Sequence, residues 1–466
     1  MSSIPVINNE VPETRGIFQQ LHETINYLLE GNKKKNTIKV LDSVRAIAII
    51  SVVLFHVSSA ANLKQAHWID RRIIAVIFAG NAGVTLFFVL SGFLLSLPYI
   101  KSLLFDGDWP SIKQFYLRRA LRILPGYYLA LFLLVILSQP VYLQPDHWKQ
   151  LFLFLIFFMD SSKSTWQLLN GPFWTLAVEW QFYMVLPLLA LLVRPIVQRG
   201  SLTRRLWVLL GCLGVLIGWG MFSRYIGYYF INQHPDQTFG LPHSVFSAIL
   251  AVPYGCCDYG GNGKYLEEFA VGIVVAVCYM MARNSPFEGR WNTILRSLSP
   301  WLFIGGILSL LLMALWNAKY YGDFPSTASE QAALFLNKIF FEVFHELGLA
   351  IGYGSFTLAI LFAGRFITRV FEWDLFRWVG LISYSVYIWH NPILISFNNA
   401  IGSSVQNWSV FRVWCLLLVW MILVAIPFSF VYFVLVERPF MKFSERLRKK
   451  PVVTREKQLF EPEVTL

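Results

Sequence analysis

Long apolar stretches separated by short polar segments dominate the chain between residues 41 and 440. Ten of these stretches are about 17 to 25 residues long, the length at which a helix crosses the hydrocarbon core of a bilayer. This pattern predicts an all-α, polytopic membrane protein with ten transmembrane helices. The predicted spans are 41–59, 74–98, 119–139, 173–193, 206–223, 265–282, 299–316, 340–363, 377–397 and 411–436.

One further apolar run, residues 151–159, is too short to cross a bilayer and lies between Asp146 and Asp160. We expect it to be a short re-entrant or interfacial segment. The polar residues 1–40 lack the apolar core and the small-residue cleavage site of a secretory signal. We therefore expect the first span to act as an uncleaved anchor.

Within residues 1–40, apolar side chains recur at helical spacing and a lysine cluster follows them. They are Ile17, Phe18, Leu21, Ile25, Leu28 and Leu29, followed by Lys33, Lys34 and Lys35. Such a segment is typical of an amphipathic helix in the membrane interface, and a loosely ordered arm is the alternative. We divide the chain into a cytoplasmic arm (1–40), a ten-span membrane domain (41–440) and a basic cytoplasmic tail (441–466).

Composition and charge agree with a membrane protein. Hydrophobic residues make up 56% of the chain and charged residues 14%, whereas charged residues are about a quarter of a soluble protein. With both termini cytoplasmic, the inside segments hold 25 Lys and Arg and the outside loops 9, as the positive-inside rule requires. The net charge of +12 therefore orients the chain and does not indicate nucleic acid. The longest outside loop, 224–264, is a candidate lid over an outer cavity.

The first span carries two ionisable residues, which are costly inside a membrane and therefore indicate function. Arg45 lies near its start, and His56 follows eleven residues later, on nearly the same helix face and about 16 Å further along the axis. An arginine can hold a phosphate or fix a carboxylate. A histidine can take a proton from an attacking hydroxyl near neutral pH. The alternative for His56 is a packed, hydrogen-bonded structural histidine.

Arg119 and Arg122 begin the third span one helical turn apart and therefore face the same way. A guanidinium pair at a helix start suits phosphate, so the two arginines predict an anion site. The alternative is a role in membrane topology and lipid headgroup contact.

Later spans add a carboxylate and a second histidine. Glu179 lies inside the span 173–193, where its partner is a histidine, an arginine or a substrate hydroxyl, or where it pairs two helices structurally. His390 lies in the outer half of the span 377–397, and Pro392 is expected to kink that helix.

Neither a metal site nor a redox framework is predicted. Glu342, His345 and Glu346 have a spacing that allows metal ligation, but the chain has no second motif of this kind. The five cysteines also lack a disulfide or metal-ligand spacing; they are Cys212, Cys256, Cys257, Cys278 and Cys415.

Six short motifs follow one another in order between residues 41 and 440. They are Leu41-Asp42 to Arg45 with His56, Phe87 to Phe93, Arg119 to Pro125, Trp174 to Tyr183, Ile382-Ser383-Tyr384-Ser385 to His390, and Val436 to Pro439. Together they resemble the acyltransferase-3 family of membrane acyltransferases, which includes bacterial O-antigen and other surface-glycan O-acetylases. The chain departs from the family pattern at Trp180, where a second acidic residue is common, and at Asn391, where an aromatic residue is common.

The resemblance implies a membrane O-acyltransferase that moves an acyl group, expected to be acetyl, from cytoplasmic acyl-CoA to a hydroxyl of a surface glycan, a lipid-linked saccharide or a related acceptor. It implies that Arg45 and His56 are the essential catalytic pair. We expect His56 to deprotonate the acceptor hydroxyl or to carry the acyl group transiently, and Glu179 to take a catalytic role by orienting His56 or the acceptor. The resemblance also implies that Arg119, Arg122 and Arg45 bind the CoA donor. We expect the acceptor to contact His390, Tyr384 and Trp174.

The resemblance also implies the bacterial inner membrane as the location. The main alternative is a proton-coupled transporter or exporter of a glycoconjugate or lipid, in which His56, Glu179 and His390 form a proton relay. A non-catalytic membrane scaffold is a further alternative. The sequence fixes neither the acceptor, nor the acyl chain length, nor the oligomeric state.

Overall fold

The structure is a computed structural model that describes residues 17–30, 38–66, 69–233, 237–242, 245–246, 249–250, 263–320 and 328–447. All regular structure within these ranges is helical, which confirms the predicted all-α class. The helices used below are α1 (Ile17–Glu30), α2 (Val40–Ala60), α3 (Arg71–Phe78), α4 (Gly83–Phe105), α5 (Ile112–Leu137), α6 (Trp148–Leu155), α7 (Phe173–Val197), α8 (Leu202–Gly227), α9 (Leu266–Asn284), α10 (Glu288–Tyr320), α11 (Ala328–Phe362), α12 (Arg365–Phe371), α13 (Asp374–Leu381), α14 (Ser383–Ile401), α15 (Val410–Trp420), α16 (Ile426–Tyr432) and α17 (Arg438–Arg446).

Eight helical segments in the described part of the chain are long and apolar enough to cross a membrane. They are Val40–Ala60, Arg71–Phe105, Ile112–Leu137, Phe173–Val197, Leu202–Phe230, Glu288–Tyr320, Phe340–Phe362 and Val410–Arg446. The other two predicted spans correspond to α9 and α14, each of 19 residues. Their crossing, and therefore the number ten, stays a prediction. The short run 151–159 overlaps the eight-residue α6, and its re-entrant or interfacial course also stays a prediction.

Polar side chains at helix starts accept hydrogen bonds from backbone N–H groups that have no partner inside the helix. Such caps satisfy donors that would otherwise stay unpaired. Asp70 caps α3 through the Arg72 amide at 2.7 Å, and Ser111 caps α5 through the Gln114 amide at 3.4 Å. Ser409 caps α15 through the Arg412 amide at 3.4 Å. The chain therefore marks several helix boundaries with local chemistry as well as with hydrophobicity.

Arg224 corrects the predicted boundary of one span. The sequence placed this residue in the outside loop 224–264, but α8 continues to Gly227 and buries Arg224 to 1% exposure. Its Nε lies 2.5 Å from a carboxylate oxygen of Glu267 in α9. A buried guanidinium needs such a partner, and a hydropathy pattern read along one segment does not show it. Nearly half of the predicted lid, including 251–262, lies outside the described residues.

Helix α2, which carries Arg45 and His56, is held by helices that approach its backbone closely. A Cβ atom on Gly380 of α13 would collide with the Asp42 carbonyl oxygen, and one on Gly83 would collide with the Ala48 carbonyl oxygen. Glycine at both positions therefore lets neighbouring backbones contact α2 directly, as small residues do in membrane helix packing. This contact fixes the height and rotation of α2.

The same kind of contact joins α4 to α9, and it gives a stability prediction. A Cβ atom on Gly272 would collide with the carbonyl oxygen of Val89. We expect Gly272→Ala to lower the free energy of unfolding by about 1–3 kcal/mol, the usual cost of overpacking. Gly305→Ala is the matched control, because nothing lies within 4 Å of a Cβ atom there. Thermal unfolding in detergent followed by tryptophan fluorescence measures both; equal midpoints for the two variants would contradict the close packing.

Helix α1 packs against α13 and against the start of α17. His22 Nε2 lies 2.8 Å from Asp374 Oδ2, and the Trp378 indole N–H donates to Asn26 Oδ1 at 2.8 Å. The Arg438 guanidinium donates to the Tyr27 carbonyl and lies over the Tyr27 ring. The helix predicted within residues 1–40 is therefore present and docked, whereas its place in the membrane interface stays a prediction. Lys33 to Lys35 lie outside the described residues.

Candidate active site

Two cavities adjoin inside the helix bundle, and α2 contributes one ionisable residue to each. The larger has a volume of about 700 Å³ and includes His56 in its lining; we call it the histidine cavity. The smaller has a volume of about 80 Å³ and includes Arg45, Arg119 and Arg122; we call it the arginine cavity. The two ends of one helix therefore face two different chemical environments.

The cavities share three lining residues, Val84, Thr175 and Tyr387, which we call the junction. The hydroxyl groups of Thr175 and Tyr387 lie 2.5 Å apart, within hydrogen-bond distance. The Tyr387 hydroxyl also donates to the Pro172 carbonyl oxygen at 3.2 Å. These bonds hold side chains of α7 and α14 against each other where the cavities meet, so the connection between them is narrow.

His56 and His390 form a pair across α2 and α14. His56 Nδ1 lies 2.9 Å from the Val52 carbonyl oxygen, and His390 Nδ1 lies 2.8 Å from the Tyr387 carbonyl oxygen. A carbonyl oxygen only accepts hydrogen bonds, so in the neutral rings both Nδ1 atoms carry the hydrogen. His390 Nε2, 3.4 Å from His56 Nδ1, is then a second acceptor for that hydrogen. This leaves His56 Nε2 as the nitrogen that can take a proton.

Pro392 has a structural consequence beside this pair. Proline has no N–H group, so the Ile388 carbonyl four residues earlier loses its helical donor. The Asn170 amide fills this position and donates to the Ile388 carbonyl oxygen at 2.8 Å. The loop that leads into α7 is thereby attached to α14, and Gly171 comes to lie against Asn391 on the wall of the histidine cavity.

The arginine cavity concentrates positive charge. Arg45 forms an ion pair with Asp42 at 3.2 Å. Its guanidinium is also near enough to Arg122 for the two positive charges to repel each other. Arg119 lies over the rings of Phe115 and Tyr183, and its Nε is buried without a hydrogen-bond partner among the described residues. A buried charged donor without a partner is costly, so this cavity is suited to bind an anion.

Glu179 lies in the arginine cavity and not beside His56. The Ser91 hydroxyl donates to its Oε1 at 2.6 Å, and the Tyr183 hydroxyl donates to the same oxygen. Glu179 also interacts electrostatically with Arg45 and Arg119. The orienting role of Glu179 toward His56 or the acceptor stays a prediction, and the ionisable group beside His56 in the structure is His390 and not Glu179. Glu179 instead balances part of the arginine charge.

The residues expected to bind the acceptor are divided among three places. Trp174 lines the histidine cavity, where its ring packs between those of Trp166 and Tyr265 at centroid distances of 5.2 and 5.5 Å. Tyr384 lines the arginine cavity and donates to the Ile123 carbonyl oxygen at 2.8 Å. His390 is fully buried behind His56. Trp174 alone of these three lies on the wall of the larger cavity.

The wall formed by α8 and α11 carries charged groups as well. Arg224, His345 and Glu346 line the histidine cavity, and His345 Nδ1 lies 3.3 Å from Glu346 Oε1. The Tyr320 hydroxyl donates to Glu342 Oε1 at 2.8 Å. Within the described ranges no group of three His, Cys, Asp or Glu side chains is arranged to hold a metal ion. Glu342, His345 and Glu346 therefore take part in a network of hydrogen bonds and ion pairs.

A comparison with models of protein families shows the family of this chain. The acyltransferase-3 model, described as an acyltransferase domain, matches residues 38–430. The chain belongs to the acyltransferase-3 family. The matched range contains both cavities, the junction and the histidine pair. The family resemblance and the transferase class expected from the motifs are confirmed.

Curated relatives of this acyltransferase-3 chain are named O-acetyltransferases. A peptidoglycan O-acetyltransferase of Listeria monocytogenes is 24% identical over 373 residues, which cover 76% of this chain and 49% of the relative. A Bacillus subtilis protein provisionally named a peptidoglycan O-acetyltransferase is 25% identical over 379 residues, covering 76% and 48%. A Staphylococcus aureus protein provisionally named an O-acetyltransferase is 23% identical over 381 residues, covering 78% and 51%.

The chain thus spans about half the length of the curated relatives it matches. No solved structure gives a significant match. The transporter alternative gains no support, because these relatives are named as acetyl-transferring enzymes.

Sequence reasoning missed several residues that shape the candidate active site. Thr175 and Tyr387 lie within recognised motifs, but nothing in their spacing shows that their hydroxyl groups meet. Asn170 gave no signal of its own. Pro392 did carry one, because a proline inside a helix releases a carbonyl group that another donor must satisfy.

Proposed function

We propose that this acyltransferase-3 protein moves an acyl group from acyl-CoA, bound from the cytoplasm at the arginine cavity, to a hydroxyl acceptor held in the histidine cavity. The observation that supports the proposal most is the junction, because it links a site for anions to a site with a free histidine base. The thioester is delivered through it at the end of a thin pantetheine arm. The acyl group is expected to be acetyl, as in the names of the relatives.

The donor fits the arginine cavity by charge and by width. Arg45, Arg119 and Arg122 are suited to the phosphate groups of CoA, since guanidinium groups bind phosphate through paired, charge-assisted hydrogen bonds. A cavity of about 80 Å³ has room for a narrow chain and not for a nucleotide. The nucleotide therefore stays at the cytoplasmic mouth while the pantetheine arm extends toward the junction.

The chemistry takes place at His56. Its Nε2 takes the proton of the acceptor hydroxyl as the oxygen attacks the thioester carbonyl carbon. His56 becomes positively charged, and the hydrogen bond from its Nδ1 to His390 Nε2 and the Val52 carbonyl stabilises that charge. His390 acts through His56 and is a positioning residue. When the tetrahedral intermediate collapses, the carbon–sulfur bond breaks and the proton passes from His56 to the CoA thiolate.

The acceptor is proposed to be a saccharide hydroxyl. The histidine cavity, at about 700 Å³, has the size of a site for one or two sugar rings. The neighbouring, mutually tilted rings of Trp166, Trp174 and Tyr265 provide an aromatic wall beside polar groups, a combination suited to the faces and hydroxyl groups of sugars. Peptidoglycan, named for two relatives, is the leading acceptor, and a related surface glycan or lipid-linked saccharide has the same chemistry.

Filling the junction tests the proposed route. Val84 lines both cavities, so Val84→Trp is expected to obstruct the passage and lower acyl transfer by about tenfold or more through misplacement of the thioester. Binding of CoA at the arginine cavity should persist. Val215→Trp, at a position 74% exposed on α8, is the matched control. Transfer and CoA binding are measured on the same purified samples, and unchanged transfer by Val84→Trp would mean that the acyl group does not pass the junction.

A further inference from the structure

The reaction requires a hydrogen-bond donor that stabilises the negative charge developing on the thioester carbonyl oxygen. The histidine pair does not provide this donor. His56 takes the proton, and His390 is buried behind it with its Nδ1 hydrogen bonded to the backbone. In acyl transfer such a donor usually makes one of the largest contributions to the rate. A candidate must line the histidine cavity near His56 and carry an N–H group that protein atoms leave available.

Asn391 meets these conditions. It follows His390 directly in α14, so its side chain leaves the helix about 100° away from the histidine ring and lines the histidine cavity while His390 faces α2. Asn391 is 8% exposed. Among the described residues, no hydrogen bond satisfies its amide group. Its N–H groups on the cavity wall are therefore available to an acceptor atom of a ligand.

The neighbouring loop packs against the Asn391 amide. A Cβ atom on Gly171 would lie 3.3 Å from Asn391 Nδ2, which is tighter than ordinary contact, so a side chain at this position would press on the amide. The loop is held there by the Asn170 amide on the Ile388 carbonyl at 2.8 Å, the group released by Pro392. The structure therefore fixes this amide in place on the wall of the histidine cavity, and glycine at position 171 leaves room beside its Nδ2.

We infer that Asn391 Nδ2 donates the hydrogen bond that stabilises the oxyanion formed from the acyl thioester. As the acceptor oxygen bonds to the carbonyl carbon, the carbonyl π electron pair moves to the oxygen facing Asn391, and the hydroxyl proton moves to His56 Nε2. Collapse returns the electron pair to the carbonyl, and the sulfur leaves as CoA thiolate and takes the proton from His56. Asn391 stays neutral throughout. This role rests on the proposed function.

The decisive test compares acetyl-CoA with its dithioester analogue, in which sulfur replaces the carbonyl oxygen. A donor aimed at the oxyanion distinguishes oxygen from sulfur, because sulfur accepts hydrogen bonds weakly. The wild type is expected to prefer acetyl-CoA strongly. Asn391→Ala should lower kcat with acetyl-CoA by about 10²- to 10³-fold, keep the KM for acetyl-CoA, and reduce the oxygen-over-sulfur preference by at least about tenfold.

Two further variants separate catalysis from folding. Asn391→Asp keeps the shape but replaces the donor by an acceptor, so its kcat should fall as far as that of Asn391→Ala. Asn399→Ala, at an exposed position two turns further along α14, is the matched control and should behave as wild type. Monodisperse elution and retained CoA binding establish folding.

Each outcome gives a decision. Loss of kcat together with loss of the oxygen-over-sulfur preference supports the inference. Full activity in Asn391→Ala, or a reduced kcat with the wild-type preference, overturns it and leaves Asn391 a structural residue. If the wild type itself transfers no acyl group from acetyl-CoA while it binds CoA, the proposed function fails, and the inference fails with it for that separate reason.

Discussion

His56→Ala is expected to lower the kcat of acyl transfer by about 10²- to 10⁴-fold, the usual contribution of a general acid–base group. The reason is geometric, because both hydrogen-bond partners of His56 contact Nδ1 and leave Nε2 for the acceptor proton. The KM for acyl-CoA should stay close to wild type, since the donor is held in the arginine cavity. Steady-state transfer from radiolabelled acetyl-CoA to a saccharide acceptor measures both constants.

The control for this variant is His147→Ala, which removes a histidine from the short helical turn Pro145–His147 outside both cavity linings. It should keep wild-type kinetics. If His56→Ala kept the wild-type kcat when assayed in parallel with His147→Ala, the proton of the acceptor hydroxyl would have to pass to another group. A raised KM with normal kcat would instead make His56 a binding residue.

Arg119→Ala is expected to raise the KM for acyl-CoA by about 10- to 100-fold, the loss of a hydrogen bond to a charged group. Its Nε is buried without a partner among the described residues, so in the proposed complex the ligand and not the protein satisfies it. The kcat at saturating donor should change little, because Arg119 lies on the far side of the junction from His56. Isothermal titration with CoA measures the same loss without turnover.

The neighbouring Arg118 provides a matched control, because it is exposed and does not line the arginine cavity. Arg118→Ala removes the same charge from the same helix end and should leave the KM close to wild type. Equal effects of the two substitutions would indicate a general electrostatic attraction in place of a defined phosphate site. An unchanged KM in Arg119→Ala would remove Arg119 from the donor site.

Much of the fold could be predicted because bilayer length and helix hydropathy are local properties of the chain. The eight helical segments that meet these criteria overlap eight of the predicted spans. The family could also be recognised, since its motifs are short and keep their order. Arg45, Arg119 and Arg122 were predicted to serve one donor, and the structure brings them to one cavity.

The rest of the site depends on contacts between distant segments, which no local pattern contains. Glu179 was predicted to orient His56 or the acceptor, but the Ser91 hydroxyl, 88 positions away along the chain, donates to it in the arginine cavity. His390 was predicted to touch the acceptor, but the rotation of α14 turns its ring toward His56. Asn391 appeared only as a departure from the family pattern, and its place on the cavity wall became visible only with the packing of Gly171.

Side-chain pairing also explains the misplaced end of α8. A lone arginine after an apolar run resembles the start of a loop, because burying an unpaired guanidinium is costly. Glu267 removes that cost at 2.5 Å, and it lies in a helix that begins far along the sequence. Spans that end in charged residues are therefore predicted too short wherever a buried partner comes from another helix.

The central claim is that the acyl group enters from the arginine side and leaves from the histidine side. Purified protein reconstituted in one orientation into sealed vesicles tests it, with radiolabelled acetyl-CoA supplied on the face that carries α1 and a membrane-impermeant saccharide acceptor on the other. The account predicts labelled ester on the acceptor across the membrane, and none with His56→Ala. The account is contradicted if labelled ester forms when the acceptor is supplied on the same face as acetyl-CoA but not when it is supplied across the membrane.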